Sequence, residues 1–129
     1  MPYSVYYSLK TENIFFLCDN ILADVFVTHG GMNSVSEAMV YGTPMVVIPF
    51  VSDQPVNARC IEKLGIGKRL EYSDVKQKVL KDMVFSVIMD EEMKKNMVKV
   101  QQLVKESPGN KGGAEIIIEY VRNDIRYIK

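Results

Sequence analysis

Apolar and polar residues change rhythm several times along this chain, and the changes mark its elements. Val25-Phe26-Val27-Thr28 is a short β-rich run that Gly30-Gly31 stops. From about Asn33 to Tyr41, Val35, Ala38 and Met39 fall on one side of a helix that Gly42 ends. Thr43-Pro44 leads into Met45-Val46-Val47-Ile48, which is apolar on both faces, as in a strand covered by helices on each side; Pro49 closes it. Gln54 to Leu64 predicts the next helix, with Pro55 in its first turn and Gly65 just past its end. Ile66 to Leu70 has the length of a third strand. Ser73 to Met89 carries Val75, Val79, Met83, Val84, Val87 and Ile88 at helical spacing. Asp90 is placed to cap a further helix with Met93, Met97, Val100 and Val104 inward, stopping at Ser107-Pro108-Gly109. A last helix, from about Gly113 to Ile125, would turn Ile116, Ile117, Tyr120 and Val121 inward.

Residues 1–22 are less regular. Tyr3, Val5, Tyr7 and Leu9 alternate in a way that allows a short strand, although Tyr6 blurs the pattern, and Asn13 to Leu22 reads as a short buried helix. Strands alternating with helices predict an α/β fold: a partial, Rossmann-like parallel sheet with right-handed crossovers and helices on both faces. Only about three strands are legible, so Val25 to Thr28 keeps one side unpaired unless the N-terminal residues cover it.

Composition narrows the class. With 129 residues, 47% hydrophobic and 25% charged, the chain has the makeup of one globular domain. Sixteen basic residues balance 16 acidic ones, which gives no reason to expect nucleic acid or an anionic membrane as partner. No apolar run has the length of a membrane span, and Met1-Pro2-Tyr3 opens no signal sequence, so a cytoplasmic setting is expected. Cys18 and Cys60 match no metal spacing and are expected to be buried free thiols. The methionines at helical spacing read as core filler, and Lys94 to Lys105 as a solvated helix face.

Chemistry collects where the first two strong strands end. His29 to Ser34 follows one and Ser52 to Asn57 the other, and in open α/β sheets such loops share one crevice. A glycine turn that opens a helix offers free N–H groups and the positive end of a helix dipole, which suits a phosphate. Plainer readings stand beside this one. His29 could be a strand-end histidine bonded to the backbone. Ser34-Val35-Ser36-Glu37 also spells a capping box, and Asp53 could simply cap the helix before Pro55. Gln54 has no capping duty in view. Asn57 and Arg59 read as helix-surface residues or partners in local hydrogen bonds.

The continuous stretch HGGMNSVSEAMVYGTPMVVIPFVSDQPVNA, His29 to Ala58, resembles the signature of UDP-dependent glycosyltransferases of the GT-B fold, in the macrolide-type and UDP-glucuronosyl-transferase-like branch. The resemblance is close from Ala23 to Leu70 and includes the GGAE run at Gly112 to Glu115. It implies that His29, Gly31, Asn33 and Ser34 hold the donor pyrophosphate, that Glu37 takes the ribose hydroxyls, and that Asp53 and Gln54 take hydroxyls of the transferred sugar. The chemistry is consistent: donor groups at a helix start stabilise the charge that grows on a diphosphate leaving group. Ionised carboxylates suit sugar hydroxyls because they only accept hydrogen bonds. The donor is a UDP- or dTDP-sugar acting as substrate, so no cofactor and no metal are implied; the acceptor is a hydroxyl of a small molecule.

Two departures qualify the resemblance. The family stacks its base beside an aromatic residue followed by Pro-Gln; this chain has no Trp, and Glu12 to Asn20 lacks Pro-Gln, leaving Phe15 or Phe16 as substitutes. The family's general base is a histidine on an acceptor-binding half, whereas His29, the single histidine here, falls at the pyrophosphate position. The expectation is therefore a single truncated nucleotide-sugar-binding domain, the C-terminal half of a GT-B enzyme, inactive alone. Within it, residues 1–22 match poorly, 23–70 carry the signature and 71–129 are C-terminal helices. Alternatives are a subunit of a split enzyme or a non-catalytic nucleotide-sugar-binding remnant, and an exposed sheet edge would allow a partner domain or subunit or a homodimer.

Overall fold

The computed structural model describes residues 5–8 and 23–127. Strands β1 (Val5–Ser8), β2 (Val25–Thr28), β3 (Met45–Val47) and β4 (Gly67–Arg69) form one parallel sheet in the order β1-β2-β3-β4. Helix α1 (Met32–Tyr41) joins β2 to β3 and α2 (Gln54–Leu64) joins β3 to β4. A 3-10 turn at Tyr72–Asp74 leads to α3 (Gln77–Ile88), α4 (Glu91–Glu106) and α5 (Asn110–Tyr127). The N-terminal strand exists: Val5 pairs with Val25 and Ser8 with Thr28, so β2 is hydrogen-bonded on both sides. The unpaired edge expected at β2 is therefore filled, and β1 and β4 are the outer strands of the described sheet. The helix expected from Asn13 to Leu22 lies outside the described residues.

Each strand lies beside the one before it, so right-handed crossovers carry α1 and α2 to the same face. There α4 and α5 join them around Phe26, Met45 and Val47 from the sheet, with Met39, Ile61, Met97, Val104 and Ile118 packed between. The opposite face, formed by Val25, Val27, Val46 and Ile48, is covered by Val84, Val87 and Ile88 of α3 and by Met93. Consecutive strand residues thus feed two different cores, which explains why β2 and β3 are apolar without alternation.

Several boundaries move. Helix α1 starts at Met32 with Gly31 as N-cap in extended backbone, so Ser34 is inside the helix and Glu37 lies in its second turn. That placement removes the capping box. Asp90 caps as expected, its Oδ1 accepting from Met93 N at 2.9 Å. The run from Ser73 breaks into the 3-10 turn and α3, leaving Val79 exposed. In α5 the inward residues are Ala114, Ile118 and Val121, while Ile116 and Tyr120 are 62% and 75% exposed. Val121 is inward as expected and Ile117 packs at the edge of the core; three consecutive isoleucines leave the phase of the stripe open by about 100° per residue.

Candidate functional site

The first half of the site is the turn between β2 and α1. His29, the residue after β2, is 4% exposed. Gly30 turns the chain at φ +88, its N–H donating to Thr28 Oγ1 at 3.2 Å. The imidazole then packs on Gly31 so closely that a Cβ there would lie 2.6 Å from Nε2. The first bond inside α1 runs from Val35 N to Gly31 O at 3.0 Å. The amides of Met32, Asn33 and Ser34 therefore lack intrahelical acceptors. No side chain caps this end, and no acidic residue stands in the first turn. Beside it, His29 Nδ1 and Ser34 Oγ are buried with no hydrogen-bond partner among the described residues. Buried polar atoms without partners are uncommon in native proteins, and an oxyanion at this helix start would satisfy both atoms and amides. Asn33 is exposed at the same turn and Glu37 is half-buried one turn further on.

The second half is the loop from β3 into α2, where Ser52 adopts φ 63. Gln54 does have a structural duty: its Oε1 accepts from Phe50 N at 2.8 Å and Val51 N at 3.1 Å. Its Nε2 remains as the donor without an acceptor among the described residues. Asp53 occupies the N-cap position of α2, yet its side chain makes no cap bond. Instead Oδ2 accepts from Asn57 Nδ2 at 3.2 Å and lies 3.7 Å from Arg122 Nη2.

Asn57 joins the halves. It is fully buried rather than on the helix surface, and Nδ2 also donates to Gly30 O at 2.8 Å, while Oδ1 accepts from Arg122 Nη2. The two loops are thus tied together across the ends of β2 and β3. Arg59 is exposed, as expected.

Residues 21–123 match the family described as UDP-glucoronosyl and UDP-glucosyl transferase. The chain belongs to this family. It is 38% identical over 100 residues to the uncharacterized UDP-glucosyltransferase YojK of Bacillus subtilis, covering 78% of this chain and 25% of the relative. It is 41% identical over 93 residues to the NDP-glycosyltransferase YjiC of the same species, covering 72% and 23%. Among solved structures, the glycotransferase of kitacinnamycin superposes with TM-score 0.64 at 35% identity, covering 74% of this chain and 25% of that one. The UDP-glucose: anthocyanidin 3-O-glucosyltransferase in complex with UDP gives TM-score 0.62 at 29% identity, covering 81% and 24%. The fold is that of GT-B glycosyltransferases, and the chain spans about a quarter of the length of these relatives and solved structures.

The residue that the sequence did not single out is Arg122. It follows the inward Val121 on α5, far from the signature, and belongs to no motif. Among the described residues no group of three His, Cys, Asp or Glu side chains could hold a metal, and no helix is long and apolar enough to cross a membrane.

Cys60, one turn beyond Asn57, is a buried free thiol 3.9 Å from Ile118 O. Burial pushes its pKa above the ordinary 9.0, and the charges of Arg122 and Lys63 oppose the rise only in part. The fold therefore favours the protonated thiol, so this contribution to stability is complete below about pH 9 and is lost as pH climbs toward the raised value. In a Cys18→Ser background, thiol reagents should label Cys60 only after unfolding. Rapid labelling of native protein would contradict its burial.

Proposed function

We propose that this chain is a donor-binding domain that holds a nucleoside-diphosphate sugar, UDP- or dTDP-linked, across the β2–α1 and β3–α2 loops. The observation that carries the reading is the pair of buried, unsatisfied polar atoms, His29 Nδ1 and Ser34 Oγ, at an open helix start joined through Asn57 to Asp53. The pyrophosphate lies against His29, Gly31, Asn33 and Ser34, where amides and the helix dipole meet it. Glu37 takes the ribose hydroxyls. Asp53 accepts from the sugar through Oδ1, because Oδ2 is occupied, and Gln54 donates through Nε2, because Oε1 is occupied. A relative described in complex with UDP supports the choice of nucleotide.

The reaction served is metal-independent transfer of the sugar to a hydroxyl of a small acceptor. His29 and the amides of α1 stabilise the departing diphosphate, whose charge increases in the transition state. Deprotonating the acceptor needs a base placed opposite, and the single histidine is already committed to the leaving group. The chain alone binds donor without turnover; transfer requires an acceptor-binding half. A reducing, cytoplasmic setting fits the free Cys60.

Calorimetric titration of UDP and UDP-glucose checks this. Both ligands should bind. Asp53→Ala should weaken UDP-glucose by about 10-fold, as for loss of a hydrogen bond to a charged group, and leave UDP unchanged. His29→Ala should weaken both ligands together. Absence of binding at about 1 mM ligand, a free energy of about −4 kcal/mol, would remove the reading.

A further inference from the structure

Arg122 stands on the last helix, outside both site loops, yet its guanidinium reaches the centre of the link between them. Asn57 is fully buried, and its amide can sit in either of two orientations related by a flip. Arg122 has only donors to offer, so the oxygen of Asn57 must face it. The two hydrogens of Nδ2 are then directed to Gly30 O at 2.8 Å and Asp53 Oδ2 at 3.2 Å. With Oδ2 engaged, and with Arg122 Nη2 3.7 Å away, the Asp53 carboxylate keeps Oδ1 as its open acceptor. Arg122 Nε itself is buried without an acceptor among the described residues, as is Arg69 Nε, so the role of Arg122 follows from the geometry around Asn57.

We propose that Arg122 is a positioning residue for the donor sugar: by fixing the orientation of Asn57 it holds Asp53 by one carboxylate oxygen and presents the other to a sugar hydroxyl. The proposal rests on the donor-binding reading above. It makes α5 part of the specificity apparatus, so that discrimination between a bare nucleotide and a nucleotide sugar depends on a residue that touches neither. A structural clasp would behave differently, since loosening α5 would disturb the whole site.

The test is a titration cycle with two probes, UDP and UDP-glucose, on the intact chain, Arg122→Met, Asp53→Ala and the double variant, each below its own melting transition. Arg122→Met should weaken UDP-glucose by about 10-fold while UDP stays within about 2-fold, and the double variant should be no weaker than Asp53→Ala alone. Should Arg122→Met lack a cooperative melt, Arg122→Gln, shorter but still polar, is held to the same pattern. Equal loss of both ligands, or additive losses in the double variant, would overturn the proposal and leave Arg122 structural. If the unaltered chain binds no UDP, the donor-binding reading fails first and this proposal falls with it.

Discussion

Gly30→Ala should lower stability and donor affinity together. Its φ of +88 is a backbone conformation that costs an L-residue about 1–2 kcal/mol. A Cβ there would also lie 2.7 Å from Val47 Cγ1, and Val47 is fully buried in β3. Forcing that side chain aside adds about 1–3 kcal/mol of overpacking. The sum, about 2–5 kcal/mol, is a large part of a typical stability of about 5–15 kcal/mol. Relief of the clash must come from the turn itself, because Val47 is held on both sides by the sheet. Any such shift moves Gly30 O away from Asn57 and tilts the amides of α1. Urea unfolding should show the loss of stability, and the protein that remains folded should bind UDP at least 10-fold more weakly. A folded variant with unchanged UDP affinity would show that the turn does not hold the phosphate.

Phe26→Ala is expected to match or exceed that loss of stability and yet spare the site. Phe26 is 2% exposed at the centre of the larger core, on a strand paired with both β1 and β3. Removing its ring leaves a cavity that four surrounding helices cannot all close, and such truncations cost about 3–5 kcal/mol. Its side chain faces the core rather than the loops, so molecules that remain folded should bind UDP as before. The check is urea unfolding with an unchanged slope, followed by titration well below the midpoint. A fall in affinity equal to that of Gly30→Ala would mean that the site has no independence from the packing beneath it.

The contrast between these variants reflects what the sequence made legible. Pro55 and Gly65 bracket α2 and fix both of its ends. Met45 to Val47 announced a doubly covered strand because its residues belong to two cores at once. The site loops were legible because strand ends, glycines and polar residues fall together within one stretch. What stayed hidden depended on distance or on phase. The Asn57–Arg122 bond spans 65 positions, and nothing local in either residue encodes the other. Of the two readings of Asn57, helix surface or a local hydrogen bond, the bond to Asp53 is local, whereas the bond to Arg122 comes from α5 at the far end of the chain. On α5, Val121 and Ile117 turn to the core as expected while Ile116 and Tyr120 do not, because Ile116, Ile117 and Ile118 leave the phase of the stripe open. Nothing local in the sequence signals the bonds of Gln54 to Phe50 and Val51, which come from a loop conformation that includes the left-handed Ser52.

The strand order also governs how the chain assembles in time. Because each strand pairs with its predecessor, every sheet contact closes across one intervening segment, and the entropy lost at each closure grows only slowly with its length. Helices α4 and α5 differ: α4 packs on α1, and α5 on α1 and α2, across much of the chain. Contacts of that range carry the larger closure cost and are expected to form after the sheet. Their loss registers in the rate of unfolding more than in the rate of folding. The lifetime of the native molecule, as distinct from the ease of reaching it, is expected to rest on its last two helices.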